Sequence, residues 1–308
     1  MHRLEIKRQM GDDDIAAVGA LVAAARAHDG HEPMGEHQWL DLVHGGRQGF
    51  AGLVAWSPEH EHPIAYSQVS KGPTSWALEF VVDPHHRGRE GWKVAQQLLE
   101  QALEVVAEQG GGHVHLWVPK PSTATDRVAT SIGLQRGREL LQMRRALPVH
   151  GDHHLAVRPF QPGKDERAWL EVNNRAFSWH PEQGGWDLET LTARQSEDWF
   201  DPAGFLLHER DGRLAGFCWT KVHHAHQPPL GEIYVIAVDP EFHGEGLGRS
   251  LAIAGLNHLH AEGQSVGMLY VDADNKSAVS LYESLGFTVD HTDRAYTGDV
   301  VPKSEPIT

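Results

Sequence analysis

Runs of apolar residues, split by polar and glycine stops, mark out the elements of this chain. In the second half, residues 154–160 read as a strand and 164–177 as a helix after Gly163. "GFLLHERDGRLAGFCWTKV" (204–222) is two apolar runs around Asp211-Gly212, which predicts a hairpin. "GEIYVIAVDP" (231–240) is a β-branched strand stopped by Pro240. Residues 246–262 form a long helix ending at Gly263. A strand (266–275), a helix (276–286) and a last strand (287–297) follow. Strands alternating with helices predict an α/β fold, a mixed sheet covered on both faces.

The first half gives the same order: strand, helix, shorter helix, strands, long helix, strand, helix, strand. Short stretches align as well. "LEIKR" (4–8) matches "LAVRP" (155–159), "FVVDP" (80–84) matches "IAVDP" (236–240), and "TSIGL" (130–134) matches "ESLGF" (283–287). The offsets are 151, 156 and 153, so order and spacing persist through each half. One fold is duplicated, with domains expected at 1–147 and 154–308.

Composition narrows the function. The formal net charge is −15, which argues against a nucleic-acid binder and suits a cationic substrate. An anionic cofactor must then be held by local backbone dipoles. The N-terminus, "MHRLEIKRQM", has no signal-peptide core, and the longest apolar stretch (15–27) is too short to span a bilayer, so no membrane role is expected. The single cysteine, Cys218, fits a reducing cytoplasm and reads as a packed strand residue. There are 23 histidines but no H-E-x-x-H; "HHAHQPP" (223–229) reads as a solvated loop before it reads as a zinc site, so no metal is expected. A monomer is expected.

The turn "AVDPEFHGEGLGRS" (237–250) places Gly244, Gly246 and Gly248 between a strand and a helix. Glycines there let amide N–H groups point inward, and the helix N-terminus adds positive potential, so the turn can hold a phosphate without lysine. A Rossmann turn would need glycine where Arg249 stands, and a Walker A turn would need glycine and lysine at His243 and Arg249. The stretch 238–256 instead resembles the acetyl-CoA motif of the GCN5-related N-acetyltransferases (GNAT), with His243 departing from its usual glutamine or arginine. "ADNKSAVSLYESLGF" (273–287) is similar to that superfamily's second hallmark, an asparagine and a tyrosine ahead of "LGF". The resemblance implies two tandem GNAT folds, each a mixed, mostly antiparallel sheet flanked by helices. The tandem layout and "FSWHPEQGGW" (177–186) resemble the branch that acetylates the cysteinyl amine of desacetylmycothiol, a cysteinyl glucosamine–inositol.

That resemblance implies acetyl-CoA as cosubstrate. Its implied contacts are Ile236, Ala237 and Val238 on the strand, and His243, Gly244, Glu245, Gly246, Leu247, Gly248 and Arg249 on the turn. Asn275, Lys276, Ser277, Ala278, Val279 and Ser280 open the next helix. Glu232, at the start of the motif strand, is implied as general base. Strand alternation puts residues 232, 234, 236 and 238 on one face, so Glu232 lies on the line to the cofactor. Tyr282 is the implied general acid, since a phenol near pKa ~10 can protonate a thiolate of pKa ~8.5. Glu36, Glu182, Lys221, Glu232 and Tyr270 are implied to line the substrate pocket.

The first half has lost this chemistry. The repeat offsets put Ala129 opposite Tyr282, Ser122 opposite Asn275 and Trp76 opposite Glu232. The family implies a second coenzyme site there, at Phe80, Val81 and Val82 and at Gly88, Arg89, Glu90, Gly91, Trp92 and Lys93. Glu90 falls opposite Gly246, although a slip of one residue would restore Gly91. An acetyltransferase for another amine or a protein N-terminus, and an acetyl-CoA-sensing pseudoenzyme, are the alternatives; the presence of both Glu232 and Tyr282 disfavours the sensor.

Overall fold

The computed structural model describes residues 3–44, 49–58, 62–72, 75–151, 154–179, 183–224 and 226–303, apart from the side chains of Glu36, His37, His44 and Arg89. The chain divides into two compact units, 1–140 with 291–308, and 141–290.

The first unit runs β1 (Arg3–Lys7), α1 (Asp12–Asp29), α2 (Glu36–His44), β2 (Ala51–Trp56), β3 (Pro63–Lys71), β4 (Trp76–Val82), α3 (Arg89–Glu108), β5 (Gly112–Pro119), α4 (Thr123–Ser131) and the start of β6 (Gln135–Ala146). The second runs β7 (Arg158–Pro159), α5 (Glu166–Ala176), α6 (Leu188–Gln195), β8 (Phe205–Arg210), β9 (Arg213–His223), β10 (Leu230–Val238), α7 (Leu247–Ala261), β11 (Val266–Asp272), α8 (Lys276–Ser284) and the start of β12 (Thr288–Val300). Element order therefore repeats as the sequence predicts. The strand expected at 154–160 shrinks to two residues, and Asp211 and Gly212 both take positive φ (52° and 74°) in the predicted hairpin turn.

Compact units and sequence repeats are not the same division. β12 pairs antiparallel with β5 over eight residues, from Asp293↔Pro119 to Val300↔Gly112. The tail of the second repeat thus completes the first unit's sheet, ordered β1-β2-β3-β4-β5-β12. The end of β6 lies beside β11 in the second unit, where Leu147 N–H donates to Ser265 O at 2.9 Å. The sequence expectation put the domain borders at 1–147 and 154–308; the borders of the compact units fall inside β6 and β12.

Each sheet is covered on both faces, which explains why its central strands are apolar almost throughout. In the first unit, α3 and α4 cover one face around Leu78, Leu99 and Val106, and α1 and α2 cover the other around Val18, Leu42 and Tyr66. In the second, Leu251 and Leu256 of α7 and Tyr282 of α8 pack with Leu269 of β11. Trp169 of α5 packs on the opposite face, against Trp186, Phe205, Phe217 and Trp219 at ring separations of 5.2–5.9 Å. Among the described residues no helix is long and apolar enough to cross a membrane.

Candidate active site

β10 and β11 pair in parallel for three residues only, Gly231↔Gly267, Glu232↔Met268 and Ile233↔Leu269. Beyond Ile233 the two strands part and leave a fork. β10 meanwhile stays paired with β9 as far as Val238↔Gly216. Along 236–238 β10 is laddered to β9, and its other edge faces the fork.

The parting coincides with a β-bulge. The register with β9 is Ile233↔Thr220 and then Val235↔Trp219, so Tyr234 is the extra residue. The bulge corrects the expected alternation: 232, 234, 236 and 238 do not share a face. Ile233, Ile236 and Val238 pack on the α7–α8 side, whereas Tyr234, Val235 and Ala237 pack on the α5–α6 side. Glu232 alternates with Ile233 and pairs with Lys221, so it stands on the α5–α6 side.

Glu232 is only 6% exposed, and its Oε2 lies 2.6 Å from His223 Nε2. Lys221 is buried too, with Nζ 4.2 Å from the Trp199 ring centre and 5.4 Å from that of Tyr234. Across the fork Met268 shares the face of Glu232, and Tyr270, two residues on, shares it as well. Tyr270 is 40% exposed, and its hydroxyl accepts from Gln142 Nε2 at 2.7 Å. Glu232, Lys221 and Tyr270 are thus brought to one face of one fork. Glu182 and the Glu36 side chain lie outside the described residues.

Tyr282 comes from the other face. It is 7% exposed on α8, edge-on to Phe287 at 5.8 Å, and belongs to the buried cluster of Cys218 and Ile233 on which Ile236 packs. Burial, with Cys218 adding to it, raises the Tyr282 hydroxyl well above its usual pKa, so it stays protonated across the working pH range. Burial also pushes the Cys218 thiol up to about 12, which keeps it a packed thiol.

The turn that follows β10 is open. Gly244 and Gly246 both take left-handed φ, 86° and 76°, and residues 243–246 are exposed. Among the described residues, no backbone carbonyl accepts from the amides of 244–249. The first turn of α7 carries no acidic residue, and Glu245 ahead of it is paired with Arg210. This turn fits an anion. His243, the departure from the motif, places Nε2 3.0 Å from Val238 O and so caps the strand. On α8, Asn275 is committed to the helix N-cap, its Oδ1 accepting from Ala278 N–H at 3.1 Å. Ser277 and Ser280 are exposed, and Lys276 Nζ donates to Ala273 O at 2.6 Å.

The first unit has its own fork. β4 and β5 pair over Trp76↔Val114, Ala77↔His115 and Leu78↔Leu116 and then part. By that register Ala77, not Trp76, stands where Glu232 stands; the bulge residue of β10 makes up the difference. Arg87 Nε donates to Val82 O at 3.1 Å, as His243 caps Val238 O, so no slip intervenes and Glu90 stays opposite Gly246. α3 begins at Arg89 behind Gly88 (φ −75°), two aligned residues earlier than α7. Gly91 is needed because a Cβ there would meet His86 O at 1.8 Å. Trp92 lies edge-on to Phe80 at 6.5 Å. Ala129 is buried in the core, and Ser122 caps α4 as Asn275 caps α8.

His223 was not legible as part of a site in the sequence. The register that returns it to Glu232 depends on the β9–β10 pairing, and among the described residues 223–226 supply no three-ligand group for a metal. A cavity of about 800 Å³ beside α5 and α6, lined by Lys164, Arg167, Leu170 and Leu188, includes no residue of β10, α7 or α8.

The acetyltransferase (GNAT) family model matches residues 168–287. The mycothiol acetyltransferase of Acidimicrobium ferrooxidans is 42% identical over 301 residues, covering 95% of this chain and 96% of that one. That of Thermobispora bispora is 45% identical, over 93% and 96%. The chain belongs to the mycothiol acetyltransferase family. Among solved structures, a GCN5-related N-acetyltransferase from Sphaerobacter thermophilus superposes with a TM-score of 0.73 at 22% identity, over 98% of both chains. A tandem GNAT protein from the clavulanic acid biosynthesis pathway gives 0.68 at 17%, over 98% and 100%. These two share the fold over nearly the whole chain, and the second is described as a tandem GNAT protein. As a family member, the protein is an acetyltransferase enzyme, and the matched stretch, 168–287, lies in the second repeat.

Proposed function

We propose that the second unit moves the acetyl group of acetyl-CoA to the cysteinyl amine of desacetylmycothiol, giving mycothiol and CoA. One observation carries the reading: Glu232 and Tyr282 approach a single fork from opposite faces of the sheet. The pyrophosphate lies on the amides of 244–249, and the pantetheine arm runs along the free edge of Ile236–Val238. A thioester in the gap is then open to an amine on the Glu232 side and a proton donor on the Tyr282 side.

The amine nitrogen attacks the thioester carbon, and its proton passes to Glu232. As the tetrahedral adduct collapses, the C–S bond breaks and Tyr282 protonates the departing thiolate. Strand amides at 236–238 stabilise the oxyanion. Lys221 and Tyr270 orient the sugar hydroxyls, and the net charge of −15 favours approach of the ammonium form of the substrate. The first fork keeps an open edge at Phe80–Val82 and a helix N-terminus at Gly88–Lys93, so it holds a second acetyl-CoA without chemistry. The test is to mix purified protein with acetyl-CoA and desacetylmycothiol and follow CoA release. Release with an aminoglycoside but not with desacetylmycothiol would replace the substrate; no release with any amine would leave a sensor.

A further inference from the structure

The two repeats share a Val-Asp-Pro turn after the fork strand, yet they neutralise its aspartate differently. In the second unit Asp239 is fully buried and paired with the Arg175 guanidinium. In the first unit, among the described residues, neither arginine nor lysine pairs with Asp83; Arg87 turns instead to Asp29, at 2.5 and 2.7 Å. Asp83 faces two imidazoles, those of His62 and His86.

One ligand atom from each of His62, Asp83 and His86 lies within 4.8 Å of the others. His86 Nδ1 is buried and makes no hydrogen bond among the described residues, and Asp83 Oδ2 stands 3.5 Å from it. That is long for a hydrogen bond but close to the ~3.3 Å that separates two ligands on a tetrahedral ion with bonds of ~2.0–2.1 Å. The His62 and His86 rings, 5.8 Å apart and inclined by 47°, have the spacing of two imidazoles on one centre. We propose that His62, Asp83 and His86 form a site for a divalent transition-metal ion of the Zn²⁺ class, with water completing the shell. Two imidazole nitrogens select such an ion over Mg²⁺ or Ca²⁺. The ion ties the loop before β3 to the turn before α3 and supplies the positive charge that Arg175 supplies in the other repeat.

The test is calorimetric titration of the chelator-treated full-length protein with ZnCl₂. One site per chain is expected, weakened at least about tenfold in His62→Ala and in His86→Ala. His62 is exposed, so His62→Gln serves as a second variant with no core to disturb. A His224→Ala/His226→Ala variant should bind as the parent does. Zinc that does not bind, or that binds the His62 and His86 variants as tightly as the parent, overturns the site.

Discussion

At the point where each fork opens, the two units present the same backbone with different chemistry. The second has Glu232 beside the last pair of β10–β11 and Val235 just beyond the bulge; the first has Ala77 and then Glu79. Glu232 keeps a histidine partner at 2.6 Å. Glu79 is buried, accepts the Gly35 amide, and has its carboxyl pushed up to about 8, by burial first, with Asp293 adding to the rise against the Gly35 bond. The two carboxylates, buried to a similar degree, thus differ in their partners: an imidazole for Glu232 and a backbone amide for Glu79.

Substitutions that exploit this contrast can be ranked by expected effect. Glu232→Gln should lower kcat by roughly 10²–10⁴ and move activity to high pH, where the amine deprotonates unaided. A variant with the parental pH–rate profile would remove Glu232 as base.

Glu79→Gln should act on stability. Because the folded pKa lies above the ordinary 4.5, the fold accepts the protonated form. Stability from this group is full below about pH 4 and falls as pH rises toward 8, so the variant should gain on the parent over that window, by on the order of 4 kcal/mol at its top. Urea unfolding of both proteins at pH 5 and pH 8.5 measures the gap; a pH-independent difference would mean that Glu79 is ionised in the fold.

Tyr282→Phe should cut the rate about 10²-fold with acetyl-CoA affinity unchanged. Equal loss of rate and affinity would make Tyr282 a packing residue. The smallest effects compare the turns. Gly246→Ala forces a side chain into left-handed backbone at roughly 1–2 kcal/mol and should weaken one coenzyme site, whereas Gly88→Ala, at φ −75° with open space around it, should cost less than about 1 kcal/mol. Calorimetry with acetyl-CoA should show two binding events, only one of them sensitive to Gly246→Ala; a single event would confine coenzyme to the second unit.

Much of this was legible in the residues. The order of elements, the duplication and the glycine turn are local signals, carried by apolar periodicity, stops such as Gly263 and Pro240, and left-handed positions that favour glycine. Glu232 and Tyr282 were implied by the family resemblance, and the repeat offsets showed that neither recurs in the first repeat. The face of Glu232 was not legible, because strand alternation assumes an unbroken register and one extra residue, Tyr234, reverses it. The exchange of β6 and β12 was hidden for a related reason: a strand's sequence says which face it buries, not which neighbour it will pair with.

The sequence by itself determined two GNAT repeats and which of them carries the Glu232 and Tyr282 pair, since each depends on residues near one another in the chain. Only the tertiary structure decided that Glu232 and Tyr282 stand on opposite faces of the fork, that His223 touches Glu232, that Glu79 is buried, and that His62 meets Asp83 and His86. Each of these joins residues from different strands or loops, and such contacts are fixed by pairing register and by burial, which local pattern does not encode.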